Sequence, residues 1–192
     1  MNFCVIDNYD SFVYNLVRYL KENESTERVD LFRNDEIDHD KLDEYDGFLL
    51  SPGPGIPSEA GDLMKIISYA ETHKKPLLGV CLGYQAIGEH YGAKLSPAPE
   101  IIHGKSSHIK IKPQSQLYRG LDTDLEVGRY HSWHLEQSLP DDLETTGYFN
   151  DLVMSFEHKA LPHMGVQYHP ESILTPNGRT IINNWITTCK NK

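Results

Sequence analysis

Two glycines bracket a cysteine at Gly79-Val80-Cys81-Leu82-Gly83, within the run Pro76-Leu77-Leu78-Gly79-Val80-Cys81-Leu82-Gly83-Tyr84-Gln85-Ala86-Ile87. No other stretch restricts the fold as much, because it reads as a strand, a sharp turn and a helix in immediate succession. Leu77, Leu78 and Val80 form the short apolar run of a strand buried on both faces, while Gln85, Ala86 and Ile87 begin a helix that Gly92 ends. The five central residues are the thiol version of the G-x-S-x-G nucleophile elbow, where strained backbone at the nucleophile is tolerable only if residues two away lack side chains. Such a turn lifts the sulfur clear of the sheet and sets it at a helix N-terminus. There the partial positive charge and N–H groups favour thiolate over thiol and can stabilise an oxyanion. A buried cysteine acting as a small hydrophobe is the competing reading, so the remainder of the chain has to supply a base and oxyanion donors.

From the N-terminus, an apolar strand over residues 3–6 ends at Asp7, and Asp10 and Ser11 supply capping groups for a helix over 12–21. Phe12, Leu16 and Leu20 share a face with Val13 and Val17 beside them, the spacing of a helix laid on a sheet. Further strands follow at 29–32 and at Gly47–Leu50, separated by an acidic stretch with a short helix near 38–44. A helix over 62–72, with Leu63, Ile66 and Ile67 inward, leads to the strand before Cys81. Alternation of strand and helix predicts an α/β fold with a mainly parallel sheet flanked by helices. After Gly92 the pattern changes. Segments 107–111, 125–130, 145–149, 153–157 and 164–168 are rich in β-branched and aromatic residues and lack intervening helices. They predict an added antiparallel portion in the C-terminal half, closed by a helix over 179–188 carrying Ile181, Ile182, Trp185 and Ile186.

The third strand runs into Ser51-Pro52-Gly53-Pro54-Gly55-Ile56-Pro57, whose three prolines lack N–H groups and fix their backbones, so a rigid loop is required. In a doubly wound sheet, loops at the carboxyl ends of strands face the ligand crevice, which sets this loop opposite the Cys81 elbow. Gly55 keeps its N–H and has no side chain, so its backbone can approach a substrate carbonyl. A stiff connector is the plainer alternative. The candidate base lies in Gln167-Tyr168-His169-Pro170-Glu171-Ser172, at the end of the last strand. Pro170 biases His169 to extended backbone, where residues two apart point the same way, so the imidazole and the Glu171 carboxylate can meet. A carboxylate that accepts a proton from one imidazole nitrogen fixes the tautomer and leaves the other to receive a thiol proton. An ordinary surface turn is the alternative.

Length and charge narrow the class. The chain has 192 residues, enough for one domain over 1–192 with a substantial core. Its net charge is −10, from 28 acidic against 18 basic residues, and no Lys/Arg cluster stands out. Nucleic acid and anionic membrane are therefore not expected partners. Three dispersed cysteines, Cys4, Cys81 and Cys189, argue for a reducing compartment, with Cys4 and Cys189 as packing residues. The opening Met-Asn-Phe-Cys-Val-Ile-Asp has neither a basic region nor an apolar core of signal type, so a cytoplasmic location is expected. His131-Ser132-Trp133-His134 offers an HxxH spacing, but no second ligand cluster completes a tetrahedral set, and neither a metal nor a cofactor is expected.

Asp7-Asn8-Tyr9-Asp10-Ser11-Phe12, Ser51-Pro52-Gly53-Pro54-Gly55, Gly79-Val80-Cys81-Leu82-Gly83, His103-Gly104-Lys105, Arg129-Tyr130-His131-Ser132 and His169-Pro170-Glu171-Ser172-Ile173-Leu174 together resemble the class I glutamine amidotransferases. Within them, the likeness is to the amidotransferase subunits of anthranilate synthase and of aminodeoxychorismate synthase, and it spans nearly the whole chain. The resemblance implies a flavodoxin-like sheet with added antiparallel strands, and a triad of Cys81 as nucleophile, His169 as acid/base and Glu171 as its orienter. It implies glutamine contacts from Gly53, Pro54 and Gly55, from Gln85 and from the Ser132-Trp133 backbone, with an oxyanion hole from the N–H groups of Gly55 and Leu82. It also implies a separate synthase subunit that binds chorismate and receives ammonia. Trp133 stands where the family usually has leucine, and Tyr84 where it often has histidine. A stand-alone γ-glutamyl hydrolase and a regulatory subunit without turnover are the other readings.

Overall fold

A computed structural model describes residues 1–190. Its centre is a nine-stranded sheet, built from a parallel N-terminal group of strands and a C-terminal group. The N-terminal group comprises β1 (Asn2–Asp7), β2 (Arg28–Arg33), β3 (Gly47–Leu50) and β4 (Leu77–Val80), all mutually parallel. They are linked through α1 (Val13–Lys21), a 3-10 turn at His39–Glu44, a second at Pro57–Glu59, and α2 (Leu63–Thr72). After α3 (Leu82–His90) come β5 (Leu95–Pro97), β6 (Lys105–Ile111), β7 (Asp124–Arg129), β8 (Trp133–Leu135), β9 (Leu143–Phe149), β10 (Leu152–His158), β11 (His163–Val166) and the closing α4 (Gly178–Cys189). The sheet order is β2-β1-β3-β4-β11-β10-β9-β6-β7, with β5 and β8 forming a separate two-stranded ribbon.

This is the expected α/β architecture, with two differences in its C-terminal half. β11 is not part of the antiparallel extension: it lies parallel to β4, in the register His163 with Leu77 through Val166 with Val80, and antiparallel to β10. All four of its residues are buried, so it is a central strand of the joined sheet. A four-residue strand such as His163-Met164-Gly165-Val166 carries no information about the direction of its neighbours. The β5–β8 ribbon is the second difference, because three-residue strands are too short for an alternation to register.

Two apolar layers sandwich the sheet. One gathers Val13, Leu16, Val17 and Leu20 of α1 with Ile181, Ile182, Trp185 and Ile186 of α4 against Phe3, Val5 and Leu49. The other gathers Leu63, Ile66 and Ile67 of α2 with Tyr84, Ala86 and Ile87 of α3 against Ile6, Phe48 and Leu50. Each such large apolar side chain contributes about 1.5–3 kcal/mol on burial. Phe12 departs from the expected helical face. It stands before the first turn of α1 with φ −111°, and its ring is exposed rather than packed on the sheet. The Asp10 carboxylate does receive the Phe12 N–H at 2.9 Å, whereas Ser11 makes no cap. Cys4 and Cys189 are buried in the two layers, as packing residues would be.

Candidate active site

The order β2-β1-β3 reverses direction at β1, which opens a crevice at the carboxyl ends of β1 and β3. The loops leaving those strands are joined there by Asn8, whose backbone N–H reaches Ser51 Oγ at 2.8 Å and whose side-chain amide reaches the Ser51 carbonyl at 2.8 Å. A cavity of about 630 Å³ fills the crevice, lined among others by Tyr9, Asp10, Pro52, Gly53, Cys81 and His169, with Glu171 and Tyr130 also on its wall.

Cys81 occupies the turn between β4 and α3 at φ +50°, ψ −99°, a strained position for a residue with a side chain. Both flanking glycines are required by contact. A methyl on Gly79 would strike the Gly83 carbonyl and the Tyr84 nitrogen, and one on Gly83 would strike the Leu50 carbonyl. The helix starts at Leu82, three residues before the expected Gln85, so Cys81 sits directly at its N-terminus and the Gln85 N–H closes the first turn on the Cys81 carbonyl at 3.0 Å.

His169 comes to the same place because β11 is parallel to β4. The Cys81 N–H donates to the Val166 carbonyl at 2.9 Å, so the chain leaving β11 runs alongside the elbow. The His169 backbone is pinned on both flanks: its N–H donates to the Gly128 carbonyl at 3.0 Å, and its carbonyl accepts from Thr175 Oγ1 at 2.7 Å. The imidazole Nδ1 lies 2.6 Å from Glu171 Oε1, and both side chains are buried. Extended backbone is not what makes this pair. It arises instead from a turn, closed by the Ser172 N–H on the His169 carbonyl at 3.2 Å, that swings Glu171 back under the ring. Burial disfavours the imidazolium, but the neighbouring Cys81 charge and then the Glu171 carboxylate outweigh it, so the His169 pKa is held well above 6.5. Asp10, which lines the same cavity, has its pKa raised from the ordinary aspartate value, by burial first, although the Phe12 N–H works against this. Tyr130 stacks edge-on to the His169 ring at 4.9 Å between centroids and meets Ser172 Oγ at 3.0 Å.

The remaining sequence candidates separate into two groups. Gly53 and Pro54 line the cavity, and Gly53 is wedged between the Asn8 backbone and Leu82, where no larger residue fits. Gly55 lies on the same loop, exposed, with φ +78°, but does not line the cavity. Leu82, Gln85, Ser132 and Trp133 lie outside it too. Gln85 is buried and donates to the Trp133 carbonyl at 3.0 Å, which His131 Nδ1 also meets at 3.0 Å. Burial lowers the His131 pKa to about 4, so that ring is neutral and its Nδ1–H is the donor to an acceptor-only carbonyl. Tyr84 is core: its hydroxyl donates to the Val153 carbonyl at 2.9 Å and its ring packs on Phe156. Sequence reasoning misses Asp10, Tyr130 and Gln167 as residues around the sulfur. Asp10 reads in the sequence as a helix cap, and no spacing in the sequence ties Tyr130 to His169. His131 and His134 each face backbone carbonyls, and among the described residues no three His, Cys, Asp or Glu side chains cluster as a metal site needs. No helix among those residues is long and apolar enough to cross a membrane.

The family model for class I glutamine amidotransferases matches residues 4–189. Anthranilate synthase component II of Haloarcula marismortui is 47% identical over 189 residues, covering 95% of this chain and 96% of that protein. Anthranilate synthase component 2 of Mycobacterium tuberculosis is 44% identical over 197 residues, covering 98% and 83%. Among solved structures, a Thermoplasma acidophilum protein described as a GMP synthase subunit superposes with a TM-score of 0.87 at 30% identity, covering 99% of this chain and 94% of that one.

Proposed function

The chain belongs to the class I glutamine amidotransferases, and from that premise we propose that it is the glutaminase subunit of an anthranilate synthase in tryptophan biosynthesis, with Cys81, His169 and Glu171 as its triad. The observation that carries the reading is one cavity shared by a strained cysteine at a helix N-terminus and a buried imidazole–carboxylate pair. The names of the 47% and 44% identical relatives support the anthranilate branch.

In the proposed mechanism the Cys81 thiolate attacks the side-chain amide carbon of glutamine. The carbonyl electrons move to oxygen, and the resulting oxyanion is met by backbone N–H groups of Leu82, at the start of α3, and of Gly55 on the facing loop. His169 delivers its proton to the nitrogen, the C–N bond breaks, and ammonia leaves a γ-glutamyl thioester. His169, now neutral, takes a proton from water. The hydroxide adds to the thioester carbon, and collapse of that adduct expels the Cys81 thiolate and yields glutamate. Glu171 fixes the Nδ1–H tautomer and balances the charge on the ring in both halves. Gly53 and Pro54, which line the cavity, bear directly on the glutamine, while Gln85, bonded to the Trp133 carbonyl, braces the wall behind it with the Ser132-Trp133 backbone.

Ammonia is a nucleophile only when unprotonated, and water at neutral pH protonates most of it, so the product needs a sheltered route to its acceptor. The cavity mouth is rimmed by Tyr9, Phe12 and Ile173, which are among the most exposed large apolar side chains of the molecule. A chorismate-binding synthase subunit seated on that rim would cover it and receive the ammonia. The test is Cys81→Ala in the reconstituted complex. Glutamine-dependent anthranilate formation should vanish, while formation from added ammonium salt should persist. Glutamine-dependent synthesis by the variant complex would refute the triad.

A further inference from the structure

We propose that Gln167 is a further catalytic residue of this site, donating an amide N–H to the Cys81 sulfur and holding it as the attacking and departing thiolate, with Gln85 fixing the direction of that amide. The proposal deepens the glutaminase reading and rests on it. Parallel pairing of β4 and β11 ends with Val166 beside Val80, so the next residue on each strand, Gln167 and Cys81, stand side by side. Gln167 Nε2 lies 3.5 Å from Cys81 Sγ, within the longer reach of a hydrogen bond to sulfur.

Which end of the amide faces the sulfur follows from its partners. The Trp133 carbonyl can only accept, so the atom of Gln85 beside it, at 3.0 Å, is its NH₂. That same nitrogen lies 3.2 Å from Gln167 Oε1 and supplies its second N–H there. With its oxygen committed to Gln85, Gln167 presents NH₂ to Cys81. Gln167 is wholly buried and Gln85 is 3% exposed. Two buried amides in succession cost more than the apolar residues that flank them, Val166 and Tyr168, unless their hydrogen bonds are used.

A neutral N–H bonds an anionic sulfur more strongly than a thioester sulfur. The bond is therefore strongest before attack and again as the C–S bond breaks, when the electron pair returns to sulfur. Removing it should raise the pH at which Cys81 becomes reactive and slow thioester hydrolysis. The other titratable groups that share the cavity with the sulfur are His169, Glu171, Asp10, Tyr130 and Tyr9, with Tyr84 on α3, and all are unchanged in the variants below.

The experiment follows iodoacetamide labelling of Cys81 against pH, read by mass spectrometry of its own peptide, because Cys4 and Cys189 are also present. Wild type is compared with Gln167→Met, Gln167→Glu and Gln85→Met, each checked for folding by circular dichroism. Loss of one such bond should move the labelling midpoint up by roughly half to one pH unit in Gln167→Met. Gln167→Glu, which keeps the shape but brings a carboxylate in place of the donor, should move it further. Gln85→Met, which frees the amide to turn, should move it in the same direction. A folded variant whose profile superposes on wild type overturns the proposal. Failure of the glutaminase reading registers elsewhere, as glutamine-dependent synthesis that survives Cys81→Ala in the complex.

Discussion

In the proposed mechanism His169 can act only if its proton sits on the right nitrogen, and the 2.6 Å contact with Glu171 Oε1 sets that by claiming Nδ1. Glu171→Gln can still accept from Nδ1 but no longer balances the ring charge. A charge-assisted hydrogen bond is worth about 1.5–3 kcal/mol, so kcat for glutamine hydrolysis by the complex should fall about ten- to a hundredfold with KM little changed, measured by steady-state glutamate release. A second histidine has the opposite environment. Burial lowers the His131 pKa to about 4, against 6.5 in the unfolded chain. Between those values the unfolded chain binds the extra proton, so stability from this group is intact above pH 6.5 and is lost as pH falls towards 4. Linkage gives about 2 kcal/mol lost between pH 7.5 and 5. His131→Asn, which can still donate to the Trp133 carbonyl, should lose correspondingly less over that interval in urea denaturation. A pH dependence equal to that of wild type would show that His131 does not titrate with unfolding. At this scale the strained turn at Cys81, with its glycines two residues away, and the contact of His169 with Glu171 two residues on are legible in the sequence because local spacing dictates them. Gln167 is not. A polar residue among apolar ones has no spacing of its own, and its proximity to Cys81 exists only in the strand register.

Elements bring these residues together by contacts that leave no room for a Cβ. Gly178, the first residue of α4, abuts the Pro170 carbonyl so closely that any side chain would collide with it. The start of α4 is thus pressed directly on the turn that folds Glu171 under His169. Gly178→Ala should destabilise the protein by about 1–3 kcal/mol and, because the strain falls on Pro170, should also reduce glutaminase activity well below wild type even at temperatures where the variant is fully folded. Urea denaturation and activity of the folded complex measured together would separate the two effects, and a destabilised variant with wild-type activity would show that α4 does not position the turn. The βα alternation from β1 to α3 was readable because α1 and α2 show apolar stripes and the strands are bounded by turn residues. Direction of pairing was not. The four residues of β11 have the same composition whether their neighbour runs parallel or antiparallel, and no helix separates them from the antiparallel strands before them. That ambiguity matters, since the parallel β4–β11 pair puts both carboxyl ends, and hence Cys81 and His169, at one edge of the sheet.

Considered as a whole, the molecule gathers its reactive groups at one end of the sheet and leaves an apolar rim around the opening. Ile173 is 94% exposed, and beside the same cavity Phe12 and Tyr9 are exposed by 59% and 50%. Tyr14, on the first turn of α1, is 70% exposed. Phe12 could have joined the buried face of α1 but lies outside its first turn, its backbone N–H donating to the Asp10 carboxylate and its ring exposed beside the cavity. Such a rim lowers the solubility of the free chain and gains a function only when covered. The proposed synthase subunit would gain affinity from these rings, and interface anchors of this kind typically contribute more than about 2 kcal/mol each. Ile173→Asp and Phe12→Asp should therefore weaken assembly with the synthase by thirtyfold or more, about 2 kcal/mol, measured by isothermal titration calorimetry. Ammonium-dependent synthesis by the partner alone provides the reference. Because the same surface would seal the ammonia route, the variants at saturating partner should also release more free ammonia per glutamine consumed than wild type. Unchanged affinity in both variants would place the synthase on another face and leave the ammonia without a sheltered exit from this cavity.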